Sequence, residues 1–136
     1  MSYSSFKVNV SAVIKNSSGE VLMVRRSDDE EVFPGHWGIP GGTVEPTDRD
    51  LESALRRECT EEVGIDIDTI QPLANNIRSQ DGRASLYIVY TAEYKDGTPM
   101  ALDGTAEVAW LALDAIRNLR LTPSTLDNIE DSFAGQ

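Results

Sequence analysis

An α/β or α+β fold built on a mixed sheet is what this chain of 136 residues predicts, and three observations carry the expectation. Apolar residues alternate with mostly polar ones from Phe6 to Ile14, the period-two pattern of a strand with one buried face. An amphipathic segment with helix-start and helix-stop residues lies between Pro46 and Gly64. A stretch rich in aromatic and β-branched residues runs from Leu86 to Tyr94. Strands and helices interleaved in this way call for layers of both around one sheet.

Taken in order, Phe6, Val8, Val10, Ala12 and Ile14 define a first strand, and KNSSGE, residues 15–20, is turn chemistry. Val21 to Val24 resumes as a short strand running into Arg25 and Arg26, so these two strands are expected to form a hairpin. Residues 27–35 are acidic, end in Pro34-Gly35 and read as an exposed loop. The helix after Pro46 has Thr47 and Asp50 at capping-box spacing, Asp48 near its positive end and Gly64 as its stop. Residues 65–70 and 73–77 are weaker strands, residues 80–83 a turn, and residues 95–105 a loop. A short strand at 108–111, a helix at 113–119 and a last helix after Pro123 complete the chain.

The length suits one domain, residues 1–136, with a single core. No apolar run approaches the roughly 18 residues that cross a bilayer, and MSYSSFKVNV lacks the pattern of a signal peptide, so a cytoplasmic protein is expected. One cysteine, Cys59, excludes an internal disulfide and suits packing better than nucleophilic work. The formal charge of −11 disfavours nucleic acid and anionic membranes as partners. An anionic substrate would then need a cation as mediator.

At about 100° per residue, Leu51, Leu55, Cys59 and Val63 form an apolar arc of the helix, and Glu58, Glu61 and Glu62 cluster along one edge of it. Glutamates spaced i, i+3 and i+4 repel by about 0.2–0.5 kcal/mol per pair when exposed, and by more when partly buried. A hard divalent cation, Mg²⁺ or Mn²⁺, would offset the repulsion and leave coordination positions for phosphate oxygens and water. A solvated acidic face with arginines nearby is the plainer alternative, and spacing alone does not separate the two.

The surrounding residues bear on that choice. Gly42 through Ile65 resembles the Nudix box, a glycine, five residues, a glutamate, seven residues, then R-E-U-x-E-E-x-G-U with U apolar. RECTEEVGI, residues 57–65, fits the second half at every fixed position, and WGIPGG, residues 37–42, is the usual lead-in. The departure lies between the halves: Asp48 stands where the first glutamate belongs, and eight residues rather than seven separate it from Arg57. The extra residue falls in the turn before the helix, where length is best tolerated.

The resemblance implies the Nudix fold, a mixed sheet between helices, and a hydrolase acting on a nucleoside diphosphate linked to another moiety. It also implies that Glu58, Glu61 and Glu62, with the Gly41 carbonyl, hold Mg²⁺ or Mn²⁺, that Arg57 orients a glutamate, and that Glu58 serves as base. Some members of the family take a further acid from a distant loop, and Glu107 is the candidate here. Arg25 and Arg26 are candidates to grip phosphate by bidentate hydrogen bonds, although neighbouring strand residues face opposite ways and at most one does so comfortably. The expected substrate is a small nucleotide: a nucleoside triphosphate is favoured because the chain is short, with ADP-ribose or a nucleotide sugar, or binding without catalysis, as alternatives.

Overall fold

A computed structural model describes residues 5–134. Seven strands form one mixed sheet. Strand β1 (Ser5–Lys15) lies at its centre and pairs in parallel with β6 (Arg83–Asp96), whose other edge is taken by antiparallel β5 (Asp66–Gln80). On the opposite edge β1 first pairs with β4 (Gly41–Thr43) and meets β2 (Val21–Arg26) only at Lys15 and Val21. Strand β2 then leaves β1 and carries β3 (Trp37–Gly38) and β7 (Thr105–Leu111) on its two edges. The expected hairpin is thus closed only at its base, and β4 enters where β2 departs.

Helix α1 (Leu51–Val63) covers one face of the sheet. Its Ala54, Leu55, Cys59 and Val63 pack on Val10, Ala12 and Ile14 of β1 and on Leu22 and Val24 of β2. On the other face, Val13, Val21 and Met23 pack against Ile116 of α2 (Leu113–Ile116) and Ile129 of α3 (Thr125–Ala134). The expected sandwich of a mixed sheet between helices is present. Strand β1 is half-buried only at its start: Phe6 is exposed, whereas Ala12, Val13 and Ile14 are fully buried because both faces are covered there.

Several boundaries differ from expectation for local reasons. Helix α1 begins at Leu51, and its cap is Asp50, whose side chain accepts a 2.7 Å hydrogen bond from the Ser53 amide. Thr47 is not the cap, because residues 45–48 form a turn in which the Asp48 amide donates to the Glu45 carbonyl and the Glu45 amide to Asp48 Oδ2. The two weak strands after Gly64 are one bulged strand, β5, joined to β6 through Asp81-Gly82. Both of those residues have positive φ, 52° and 74°, which suits a two-residue hairpin turn. Helix α2 stops at Ile116 rather than 119, since the Trp37 amide captures the Arg120 carbonyl and the Thr122 amide returns to Trp37, drawing the chain out along β3.

Candidate active site

The box segment runs along β4, through a turn and into α1, so the two glycines sit on β1 while the glutamates rise from the helix beside them. Gly41 pairs with Ser11 and Gly42 with Val10. A Cβ on Gly41 would overlap the Val10 carbonyl and the Ser11 backbone, and one on Gly42 would overlap the Glu58 carboxylate. Glycine at position 41 is therefore a requirement of close approach to the β1 backbone, and glycine at position 42 leaves the Glu58 carboxylate where it is.

Arg57 organises the acids. Its Nε donates to Asp48 Oδ1 and its Nη2 to Asp48 Oδ2, both at 2.8 Å, a bidentate pair. Nη1 donates to Glu58 Oε1 at 2.9 Å and Glu61 Oε2 at 3.0 Å, and Nη2 also donates to the Thr43 carbonyl at 3.1 Å. Donor capacity is fully used, because a guanidinium has five N–H groups. The Asp48 side chain is only 6% exposed, and hydrogen bonding from Arg57 holds its carboxyl down to about 2. Asp48, which stands in sequence where the first box glutamate belongs, is thus the bidentate partner of Arg57 in this fold.

A cleft of about 670 Å³ opens beside this helix edge, lined by Gly41, Gly42, Glu58, Glu62, Arg26 and Asp103 among others. Glu62 Oε1 accepts a 3.2 Å bond from the Gly41 amide, and burial pushes the Glu62 carboxyl up to about 8. A shift of that size disfavours the buried anion by roughly 5 kcal/mol, far more than the repulsion between exposed glutamates. Burial also raises Glu58, against the opposing pull of Arg57. Glu61 is different: its side chain is 49% exposed, bonds Arg57 and lies outside the cleft lining.

Among the described residues, no three His, Cys, Asp or Glu side chains are gathered into a ready-made metal cluster. The donors nevertheless suit a hard cation. Glu58 and Glu62 lie one turn apart on the cleft wall, both with charged forms disfavoured by burial, and glycine leaves room over Glu58.

The two arginines of β2 separate as strand alternation requires. Arg26 lines the cleft, its Nε donating to the Val32 carbonyl at 2.8 Å and its Nη2 lying 3.5 Å from Glu30. Arg25 does not line it, and pairs instead with Glu107 at 3.1 Å and Asp28 at 3.6 Å. Glu107 faces Arg25 across the β2–β7 ladder and is likewise absent from the cleft lining. In the loop that leads to Glu107 the acid that lines the cleft is Asp103, whose charge raises both Glu58 and Glu62. Sequence reasoning passed over Asp103; the signal available was its place in the loop opposite the box, four residues before Glu107.

Cys59 packs in the α1 core, where burial pushes its thiol up to about 12. Trp37 and Trp110 pack at the margins of the two cores. His36 bonds the Pro34 carbonyl through Nδ1. No described helix is long and apolar enough to cross a membrane.

Comparison with known proteins places this geometry. The chain is 42% identical over 89 residues to the nucleoside triphosphatase NudI of Escherichia coli K12, a match covering 60% of this chain and 62% of that enzyme, so it spans less than two thirds of that relative. The MutT NUDIX hydrolase of Burkholderia pseudomallei superposes with a TM-score of 0.79 at 27% identity, covering 93% of this chain and 97% of that one. The NUDIX domain of Shewanella oneidensis NrtR, complexed with ADP ribose, superposes with a TM-score of 0.78 at 27% identity, covering 92% and 84%. The model of the NUDIX domain matches residues 5–131. With its glycine pair, its Arg57-centred acids and its sheet between helices accounted for, the chain belongs to the NUDIX family of hydrolases.

Proposed function

We propose that the protein is a divalent-metal-dependent pyrophosphohydrolase that converts a nucleoside triphosphate to a monophosphate and pyrophosphate. The observation that carries this reading is the placement of Glu58 and Glu62 side by side on the cleft wall, beside Gly41 and within the same cleft as Arg26. The resemblance of 89 residues to a nucleoside triphosphatase supports the substrate class.

Glu58, Glu62 and the Gly41 carbonyl would hold Mg²⁺ or Mn²⁺, and Glu61 would join them on release from Arg57. When bound, the cation neutralises diphosphate charge and acidifies water. The chain's own groups do the rest. Glu58 is fixed through Oε1 by Arg57, which leaves Oε2, lying against Gly42, to take a proton from attacking water. Arg26 offers its remaining N–H groups to a phosphate, braced by the Val32 carbonyl. Asp103 adds negative charge where a cation would bind. Cys59 is buried with a raised thiol and His36 is bonded to a loop carbonyl, so neither supplies the activated nucleophile of a covalent route. Water therefore attacks phosphorus directly.

The test is a panel of nucleoside triphosphates, ADP-ribose and nucleotide sugars incubated with Mg²⁺ or Mn²⁺, with products separated by ion exchange. Monophosphate and pyrophosphate from a triphosphate are expected. Orthophosphate release, or turnover confined to the other substrates, would reject the reading. The ADP ribose bound by the NrtR neighbour makes ADP-ribose the second candidate.

A further inference from the structure

Strand β5 ends the sheet, and the two halves of its outer edge are built differently. Over residues 66–73 the ladder to β6 shifts register repeatedly, between Asp66 and Ile67, between Asp68 and Gln71, and between Pro72 and Ala74. This half also carries Asp66, Asp68 and Pro72, and Arg56 Nη1 donates to the Ile67 carbonyl. Bulges, proline and charge are the devices that keep a sheet edge from pairing with another chain.

From Ala74 to Gln80 these devices stop. The ladder to β6 runs unbroken, and the stretch holds neither acid nor proline in a chain of net charge −11. Among the described residues no strand pairs with its outer edge. Residues Asn75 to Ser79 are all exposed, Ile77 at 62%. Asn76 and Arg78 line the cleft, whose floor they form with Lys7 and Asn9 of β1 and Ser85 and Tyr87 of β6. Ile77 takes the opposite face, in a row with Leu86 and Val8 and near exposed Phe6.

We propose that residues 74–80 are a docking edge for a second copy of this chain, whose own residues 74–80 pair with them antiparallel about a two-fold axis at Ile77. The stretch matches itself. Ile77 is its midpoint, so full overlap sets Ile77 against Ile77, Arg78 against Asn76 and Ser79 against Asn75. Directly opposite residues share a face. The two isoleucines therefore meet on the α1 side, while each Arg78, which only donates, stands beside an Asn76 whose amide oxygen accepts. The two arginines lie on opposite sides of the axis. Two chains of this charge repel each other in general, but here no carboxylate faces another, because Asp66 and Asp68 lie beyond the paired stretch. The two sheets become one, and Arg78 of each copy joins the rim of the other's cleft.

Sedimentation velocity from low micromolar to several hundred micromolar protein tests the proposal, with a concentration-dependent shift to twice the mass of one chain expected. Ile77→Lys, at an exposed position, sets like charges against each other on the axis and is expected to abolish that shift while circular dichroism stays unchanged. Ile77→Cys supplies a surface thiol in a chain whose sole cysteine, Cys59, is buried. A short bismaleimide is expected to link two copies of it, and to leave Asp68→Cys, on the protected half of the edge, unlinked. The contrast between the two cysteine variants decides the matter if Ile77→Lys loses its fold. A single chain at every concentration, a dimer that Ile77→Lys leaves intact, or linkage as efficient through Asp68→Cys would overturn the proposal.

Discussion

The helix-borne wall of the cleft and its strand-borne floor are built on opposite plans. On the wall, Arg57 spends all five N–H groups on Asp48, Glu58, Glu61 and the Thr43 carbonyl, Glu62 is tied to the Gly41 amide, and two glycines exist to let a carboxylate and a strand come close. On the floor, Lys7 and Arg78 are exposed and in no ion pair among the described residues. A wall fixed before substrate arrives suits the reacting atoms, where small displacements are costly. The floor, where β1, β6 and β5 lie side by side, leaves the Lys7 and Arg78 donors available to a ligand.

If the contrast is right, changes in the wall affect turnover most. Glu62→Gln is expected to remove nearly all turnover while the fold persists, because the shape of the side chain is kept and a disfavoured buried anion is lost. Circular dichroism alongside the assay checks both parts, and loss of folding would contradict it. Next comes Asp48→Asn, which weakens the bidentate hold on Arg57 without touching the cleft. A loss of about 10–100-fold in metal affinity or kcat is expected, the usual scale for groups that orient ligands. An effect below twofold would mean that Arg57 needs no second anchor.

The pH dependence sharpens the same contrast. Burial raises the Glu62 carboxyl to about 8, so the metal-free fold keeps this proton where an unfolded chain has lost it. That contribution to stability is complete below the ordinary carboxylate range and is lost as pH rises through about 8. Mg²⁺ requires the anion, so its affinity should climb over the same window with proton release, measurable by calorimetry in buffers of different ionisation enthalpy. Proton release independent of pH, or retained in Glu62→Gln, would assign the proton elsewhere.

The smallest effect belongs to the pair outside the cleft. Arg25→Ala combined with Glu107→Ala is expected to change kcat/KM less than twofold, as for an exposed ion pair remote from the reacting atoms. A large loss would return these residues to the site.

Much of the wall was legible in sequence because a helix displays its chemistry at fixed spacing: Arg57, Glu58 and Glu62 are neighbours in the chain and stay neighbours in the fold. The Asp48–Arg57 pairing was not, since it depends on how the turn at 45–48 folds back, which also misdirected the choice of Thr47 as cap. Strand alternation correctly allowed only one of Arg25 and Arg26 into the cleft, but nothing local told Asp103 from Glu107. The floor was invisible for a different reason. Lys7 and Ser85 meet through a parallel pairing across more than half the chain, and no local pattern specifies that register.

The most direct test of the central claim, that the glutamate wall directs water onto a nucleoside triphosphate in one displacement, is a single turnover in ¹⁸O-labelled water with Mg²⁺. One labelled oxygen in either the monophosphate or the pyrophosphate on the first turnover is the expected result. Unlabelled products, a trapped phosphoryl- or nucleotidyl-enzyme, or labelled orthophosphate would contradict it.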